Sequence, residues 1–368
     1  MYSTLDVDIR PGTGLGLFEL GGTTSYHVSK PELRTEFDHV RFQELHCDVK
    51  YDADSPITPI VLHIRPHLDL LFSGYHQRLH TISLRRLRDP HPPVTLRYKN
   101  TTLSSTEEVL RRVGVKRAFG PTYPGDDLRY PGVWFSFDED GRNEGLRPSS
   151  PPPDDRMQEV KRVMISQKSE NDEPTDALSE VKDGVVLHFY PTSSEPLHIR
   201  IGVTTAQDLT CDLGPPPRIN YREDDRMTIH SRAGKLDDDL GTSYFYNYFQ
   251  HGIDFLISGS THVVKKIIIH TNIPGTALFQ QYKRCPWAIE GKPEDDEDDS
   301  PPQKWFYDRY EDIGHFLSPG DSPPSMMLDR TDDEEQLTLP SAPTRLLGYN
   351  GIILEVTDSA QVATVMLF

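Results

Sequence analysis

A β-rich α+β fold, made of repeated helix-plus-antiparallel-hairpin units packed together and interrupted by long disordered insertions, is what this 368-residue sequence predicts. Three observations predict it. An apolar hairpin pattern recurs along the chain, short capped helix signals precede several copies of it, and tracts of proline, serine and acid separate the patterned stretches.

The hairpins come first. His67 to Leu84 (HLDLLFSGYHQRLHTISL) lies over Gly252 to Ile269 (GIDFLISGSTHVVKKIII) without a gap. Leu68, Leu70, Phe72, Leu79, Ile82 and Leu84 fall on Ile253, Phe255, Ile257, Val264, Ile267 and Ile269, and the turn Ser73-Gly74 falls on Ser258-Gly259. Gly351 to Phe368 has the same length and two apolar runs around a polar turn, and Gly132 to Phe137 reads as a shorter copy ending in the turn 138–141. Alternating apolar runs broken by Gly, Asp or Ser are the signature of a half-buried hairpin.

The helix signals are Thr106 to Gly114, Ala206 to Gly214 and Trp305 to Leu317. Ser105 with Glu108, and Thr204 with Gln207, fit a capping box, and Gly114 and Gly214 suit helix ends. Three or four related units follow, each too small to bury a sheet face alone. The expected organisation is N-terminal α+β units over 1–140, a mostly disordered insertion with one strand (Val160 to Ser166) over 141–180, a central unit over 181–289, an acidic linker over 290–304 and a helix-plus-hairpin unit over 305–368.

Composition narrows the function. The net charge of −18 opposes nonspecific attraction to nucleic acid or an anionic bilayer. A local exception is Val61 to Arg117, where eleven Arg or Lys face four Asp or Glu, leaving about −25 for the remainder. Cys47, Cys211 and Cys285 are widely spaced and form no CxxC pair, as expected in a reducing compartment. The first residues lack a basic start and apolar run, and no stretch approaches the ~20 apolar residues that span a bilayer. A cytoplasmic protein without a transmembrane segment or nucleic-acid partner is expected.

Catalytic motifs are scarce. Gly12-x-Gly14-x-Gly16 lacks dinucleotide-binding spacing and reads as a turn. His63 and His67, and His76 and His80, are four apart, but on extended chain this separates side chains by roughly 13 Å and suits no metal. The acidic run Asp295 to Asp299 lacks the glycine and spacing of a calcium loop. No catalytic residue, cofactor or metal is expected, and the chain reads as a non-enzyme. Arg85, Arg86 and Arg88 form a candidate anionic-lipid patch at a hairpin end. Arg111 and Arg112 read as cations of a last helical turn, paired with Glu107 and Glu108.

Ser243 to Cys285 brings a more specific signal: aromatic-Asn-Tyr-Phe, Gly-apolar-Asp, Thr-His, Val-Lys-Lys, His-Thr-Asn-x-Pro-Gly and a closing Arg-Cys. In that order it resembles the phagophore (phagosome) assembly factor family. Phe119 to Gly125 with Trp134 to Phe137, Arg226 to Ser231 and the C-terminal hairpin extend the resemblance from about Val49 onward. The family places an amphipathic helix after the position of Leu20-Gly21, whereas residues 22–42 contain Pro31 and show no apolar face.

The resemblance implies a non-catalytic autophagy adaptor, recruited to the phagophore assembly site with a WD-repeat β-propeller partner that recognises phosphoinositide. Of the matched positions, Asn247, Asp254, His262, Lys265, Lys266, His270, Asn272 and Gly275 are candidates for a shared interaction surface. Turn formation, local backbone satisfaction and edge-strand protection are competing roles for them. The alternative expectation is a peripheral lipid-binding or lipid-transfer protein of Golgi or endosomal vesicle trafficking, with weak phosphoinositide contact.

Overall fold

The computed structural model describes residues 5–22, 47–64, 66–90, 93–122, 126–137, 155–166, 178–182, 184–189, 195–221, 242–276, 278–279, 281–291, 302–318, 323–328 and 343–368. The insertions expected to be disordered lie largely outside these residues, as do the turn 138–141 and segment 23–46. The chain divides into unit 1 (Met1–Asp52 and Ile57–Glu173) and unit 2 (Ala53–Pro56 and Pro174–Phe368).

Unit 1 contains β1 (Leu5–Arg10), β2 (Gly14–Leu15), β3 (Phe18–Glu19), β4 (Cys47–Lys50), β5 (Ile60–Ile64), β6 (Leu68–Phe72), β7 (Leu79–Arg85), β8 (Val94–Tyr98) and β9 (Thr101–Ser104). Helix α1 (Arg112–Phe119), β10 (Leu128–Tyr130), β11 (Val133–Ser136) and β12 (Arg162–Ser166) complete it. One sheet has the order β3-β2-β1-β8-β9, the other β10-β11-β12-β7-β6-β5-β4. Among the described strands of this unit, only β1 and β8 run parallel. The larger sheet buries one face: Leu68, Leu70, Phe72, Ile82, Leu84, Val133, Phe135, Val163 and Ile165. Asp69, Ser83, Met164 and Trp134 alternate with them, as the two-residue period of a strand requires. Phe119 of α1 stacks on Tyr98 at 4.1 Å and lies 5.1 Å from Phe135, closing this core.

Unit 2 contains β13 (Leu178–Lys182), β14 (Gly184–His188), β15 (Leu197–Arg200), helix α2 (Ala206–Leu213), β16 (Arg218–Tyr221), β17 (Tyr244–Tyr248), β18 (Ile253–Ile257), β19 (Val264–His270), β20 (Trp287–Glu290) and β21 (Gln303–Trp305). Helix α3 (Tyr310–Leu317), β22 (Ser325–Leu328), β23 (Thr344–Tyr349), β24 (Ile352–Val356) and β25 (Val362–Leu367) follow. Its sheets run β15-β14-β13-β20-β21 and β16-β17-β18-β19-β25-β24-β23-β22. Here too, among the described strands, a single pair, β13 with β20, is parallel. The strand order of unit 1 is thus repeated, with one further edge strand.

The fold is β-rich, with several largely antiparallel sheets. The matched hairpins are present as β6–β7, β18–β19 and β24–β25, each with a register shift near the turn. The first two turns are alike: Ser73 N donates to Arg78 O and Ser258 N to Val263 O, with Gln77 and His262 both at positive φ. These hairpins do not delimit separate small units. β19 pairs with β25, so residues from 181–289 and 305–368 share one sheet.

The helix boundaries shift for local reasons. Residues expected to begin the first helix instead form a turn around the Ser105 hydroxyl, and Leu110 to Arg112 bond to residues 158–160, so helix begins only at Arg112. Arg112 is buried in the first turn, donating to Gln158 Oε1 and Asp126 O and lying over Phe137. It therefore caps nothing at a helix C-terminus. α2 starts at Ala206 as expected, but its capping box is formed by Thr205 with Asp208, one residue later than the Thr204–Gln207 pair. Asp208's carboxyl is held below its usual range by these bonds from Thr205. The third helix is the shorter Tyr310–Leu317.

Two glycines at positive φ separate backbone strain from collision. Gly252 (φ 68) leads into β18, and a Cβ there would meet Lys283 O at 2.2 Å; Gly202 (φ 80) has open space. Gly202→Ala should cost about 1 kcal/mol, the left-handed penalty alone. Gly252→Ala should cost roughly twice that or more, because the 283–285 backbone must move. Urea unfolding of the two variants checks the order.

Candidate functional site

Three of the residues singled out by the sequence, Asn247, Asp254 and His270, converge on the outer face of the eight-stranded sheet. Ile253, Phe255 and Ile257 face the core, so Asp254 must face the other way. There it lies opposite Asn247 of β17 and close to His270 at the end of β19. Asn220 Nδ2 donates to Asn247 Oδ1 at 2.8 Å, and Asn247 Nδ2 donates to Asp254 Oδ1 at 2.9 Å. His270 Nε2 donates to Asp254 Oδ2 at 2.9 Å. A hydrogen-bonded row thus crosses four strands. It continues through Thr364, opposite His270, to Glu355, whose carboxylate accepts from Thr344 at 2.7 Å.

This row is roofed. The described residues of 271–285, which follow β19, return over it and bring Tyr282 Oη to Asp254 Oδ2 at 2.7 Å, its ring stacked on His270 at 3.8 Å. Arg284 anchors the roof. Only 2% exposed, its guanidinium donates to Thr271 O, Pro56 O and Asn272 O and lies over Phe306. Trp287 Nε1 donates to Thr271 Oγ1 at 2.9 Å. Burial, then the neighbouring Asp254 charge, raises the Tyr282 phenol well above its ordinary value. Burial, with Tyr246 beside it, pushes Tyr248 up to about 12.

A small concavity at the roof's edge is lined by His270, Asn272, Thr276, Glu355 and Thr364 and has room for about one water. Among the described residues, no three His, Cys, Asp or Glu side chains are grouped as metal ligands, and no helix is long and apolar enough to cross a membrane.

The sequence profile of phagosome assembly factor 1 matches residues 38–174 and 147–368. The chain belongs to the phagosome assembly factor 1 family. A PHAF1 protein of Arabidopsis thaliana is 26% identical over 98% of this chain and 92% of its own length. A PHAF1 protein of Caenorhabditis elegans is 24% identical over 87% and 84%, and one of Drosophila melanogaster 29% identical over 45% and 40%. No solved structure matches. Membership of the phagosome assembly factor 1 family ties the chain to an autophagy-related role.

Of the eight candidate surface positions in this family member, Asn247, Asp254, His270 and Asn272 are buried, so they support the interior rather than offer a surface. The roof is the reason. His262 and Lys265 are exposed, and Lys266 and Gly275 are half-buried. His262 is hydrogen-bonded to Tyr244, whose ring meets Tyr221 and Tyr246. Tyr221 is 70% and Ile219 42% exposed on edge strand β16. Sequence reading missed this aromatic edge, although the alternation of Ile219 and Tyr221 on one side of β16 carries it. In unit 1, Arg85 pairs with Asp69 at 2.9 Å and Arg88 approaches Glu159 at 3.8 Å, leaving Arg86 as the exposed member of that trio with no carboxylate partner among the described residues.

Removing the shared acceptor strands several donors at once. Asp254→Ala should destabilise unit 2 by roughly 3 kcal/mol, since Asn247, His270 and Tyr282 each lose a buried partner. Arg284→Met should cost roughly 2–4 kcal/mol by freeing the carbonyls that it ties. Equilibrium denaturation measures both. The raised Tyr282 and Tyr248 phenols stay protonated in the fold after the unfolded chain has begun to ionise near pH 10. Their contribution is therefore full below pH 10 and is lost as pH rises through the folded values. Unfolding free energy should fall from about pH 10 upward, with a shallower fall in Tyr282→Phe.

Proposed function

We propose that this chain is a non-catalytic adaptor of autophagy that acts by protein–protein contact at the phagophore assembly site, with a WD-repeat β-propeller as partner. The observation that carries the reading is the exposed edge of β16, where Ile219 pairs with Tyr246, Tyr221 meets Tyr244, and Tyr244 is hydrogen-bonded to His262. Tyrosine supplies large contact area at little conformational cost, and it is enriched where interfaces concentrate their energy. The acid–imidazole pair Asp254–His270 resembles a general-base dyad, but its concavity leaves a substrate no room. Its role in this reading is to hold the sheet and roof together. The recurring hairpins fit an adaptor built by repetition of one supporting element.

The second reading, peripheral lipid binding with phosphoinositide contact in Golgi or endosomal trafficking, is favoured by exposed Arg86 at the hairpin end. Co-expression with the organism's WD-repeat propeller and size-exclusion chromatography tests the first. Co-elution is expected, with Ile219→Asp/Tyr221→Ala weakening it by tenfold or more, a typical effect of losing an interface anchor. Separate elution of folded proteins, with flotation of the chain on phosphoinositide vesicles that is lost in Arg86→Glu, would instead support lipid binding.

A further inference from the structure

The outer face of unit 1's larger sheet carries an arrangement that neither reading uses. In the β7–β12 ladder, Arg85 stands directly opposite Arg162, and Arg162 directly opposite Ser136 of β11. Directly opposed residues place their Cβ atoms about 5 Å apart, where like charges repel. A fold that sets two arginines there needs an anion between them.

The protein's own acids supply part of one. Asp69 accepts from Arg85 Nη2 at 2.9 Å, but the same oxygen also accepts from His63 Nδ1 at 2.6 Å. Glu159, close in sequence to Arg162, is engaged by Lys161 at 3.5 Å and Arg88 at 3.8 Å. Among the described residues, Arg162 has no hydrogen-bond or ion-pair partner. Two further donors on this face are buried without an acceptor: Arg85 Nε and Trp134 Nε1. Trp134 lies one strand from Arg162 and two residues from Ser136, and Arg129 from β10 rests over its ring at 5.3 Å. Buried N–H groups are rarely left unsatisfied, and such exceptions mark places where a ligand or water belongs.

We propose that Arg85, Arg162, Ser136 and Trp134 form a binding site for a phosphate monoester, presented by a phosphoserine or phosphothreonine of a partner polypeptide. A phosphate dianion has the charge to sit between two guanidinium groups and enough oxygens to take the indole, Arg85 Nε and Ser136 donors as well. Guanidinium suits this better than ammonium, because its fork binds two phosphate oxygens at once. The charge balance favours a discrete phosphate over a bilayer. Polybasic membrane contacts use about four to eight cations on one surface. Here the cations are three, Arg85 paired with Asp69, Arg162 opposite Arg85 and Arg129 over Trp134, on a chain of net charge −18. The site is built from residues of unit 1 and uses none of the β16 edge, so its test is separate from that of the adaptor interface.

The test uses the full chain and a short synthetic peptide, Gly-Ala-phosphoserine-Ala-Gly, with its unphosphorylated twin, followed by calorimetry and tryptophan fluorescence. Saturable binding of the phosphopeptide alone is expected, competed by inorganic phosphate. Arg162→Gln should weaken it by about tenfold, the loss of one charge-assisted bidentate contact. Arg86→Gln, an equal charge change on exposed chain, should alter it less than about twofold. Trp134→Phe should abolish the fluorescence response. Thermal unfolding of Arg162→Gln should match or exceed the parent, since a like-charge pair is relieved; should that variant fail to fold, Arg162→Lys, which keeps charge but loses the fork, replaces it. Absence of saturable binding by the parent chain, or equal losses in Arg162→Gln and Arg86→Gln, would overturn the proposal. So would flotation on phosphatidylcholine–phosphatidylserine vesicles that requires Arg162 without any phosphopeptide binding.

Discussion

One buried carboxylate organises unit 2. Asp254 accepts from an amide, an imidazole and a phenol contributed by β17, β19 and the roof. A charge taken out of water is tolerable only when its lone pairs are filled by well-placed donors. That requirement fixes the register of three strands, because a one-residue slip in β18 would turn Asp254 into the apolar core and Ile253 or Phe255 outward. It also explains the roof. Residues 271–285 bring their own polar backbone onto the sheet, and the Arg284 guanidinium ties their carbonyls while Tyr282 satisfies the acid beneath. Neither roof nor row is self-sufficient.

The same constraint is written twice. The spacing that lays His67 over Gly252 also lays Asp69 over Asp254 and, one residue beyond the matched stretch, Arg85 over His270. Each acid meets that partner's side chain at 2.9 Å. His63 stands opposite Asp69 where Asn247 stands opposite Asp254. An acid paired across an inner hairpin is therefore a shared feature of two units with a shared strand order. The connections differ. β7 reaches β8 through 86–93, whereas β19 reaches β20 through the longer 271–286, which has enough chain to cover the acid. In unit 1, Asp69 and Arg85 keep 17% and 31% of their side-chain surface exposed; in unit 2, Asp254 and His270 keep 7% and 6%.

The hairpins were legible because their signal is local: an apolar period of two, a polar turn and a second run. Register followed from the same alternation. What escaped was set by segments without a period. Alternation alone assigns Asp254, Asn247 and His270 to the face away from the core, which without a cover is the solvent side. The cover, 271–285, has no strand or helix pattern to announce it. The first helix was misplaced for a related reason. The Ser105–Glu108 signal is a real local preference, but Leu110 to Arg112 gain more by bonding to 158–160, a pairing across a long insertion. At Thr205 no such competitor intervenes, and the box forms within a residue of its expected place.

This division bears on where the units can act. A sheet face whose polar residues satisfy one another under a roof has spent its hydrogen-bonding capacity, and the row through Asp254 has little left for a ligand. Among the described residues, no segment closes the equivalent face of unit 1 in this way. Its acid is shared between His63 and Arg85, and β12 adds a second arginine where β25 places Thr364 opposite His270. Substituting threonine for arginine at that register position removes the repulsion and permits the row to run on to Glu355; keeping arginine leaves positive charge unsatisfied at the surface. Two units with the same strand order thus diverge by one connection and one cross-strand partner, the first turning the face into structural interior and the second keeping it available for an anion.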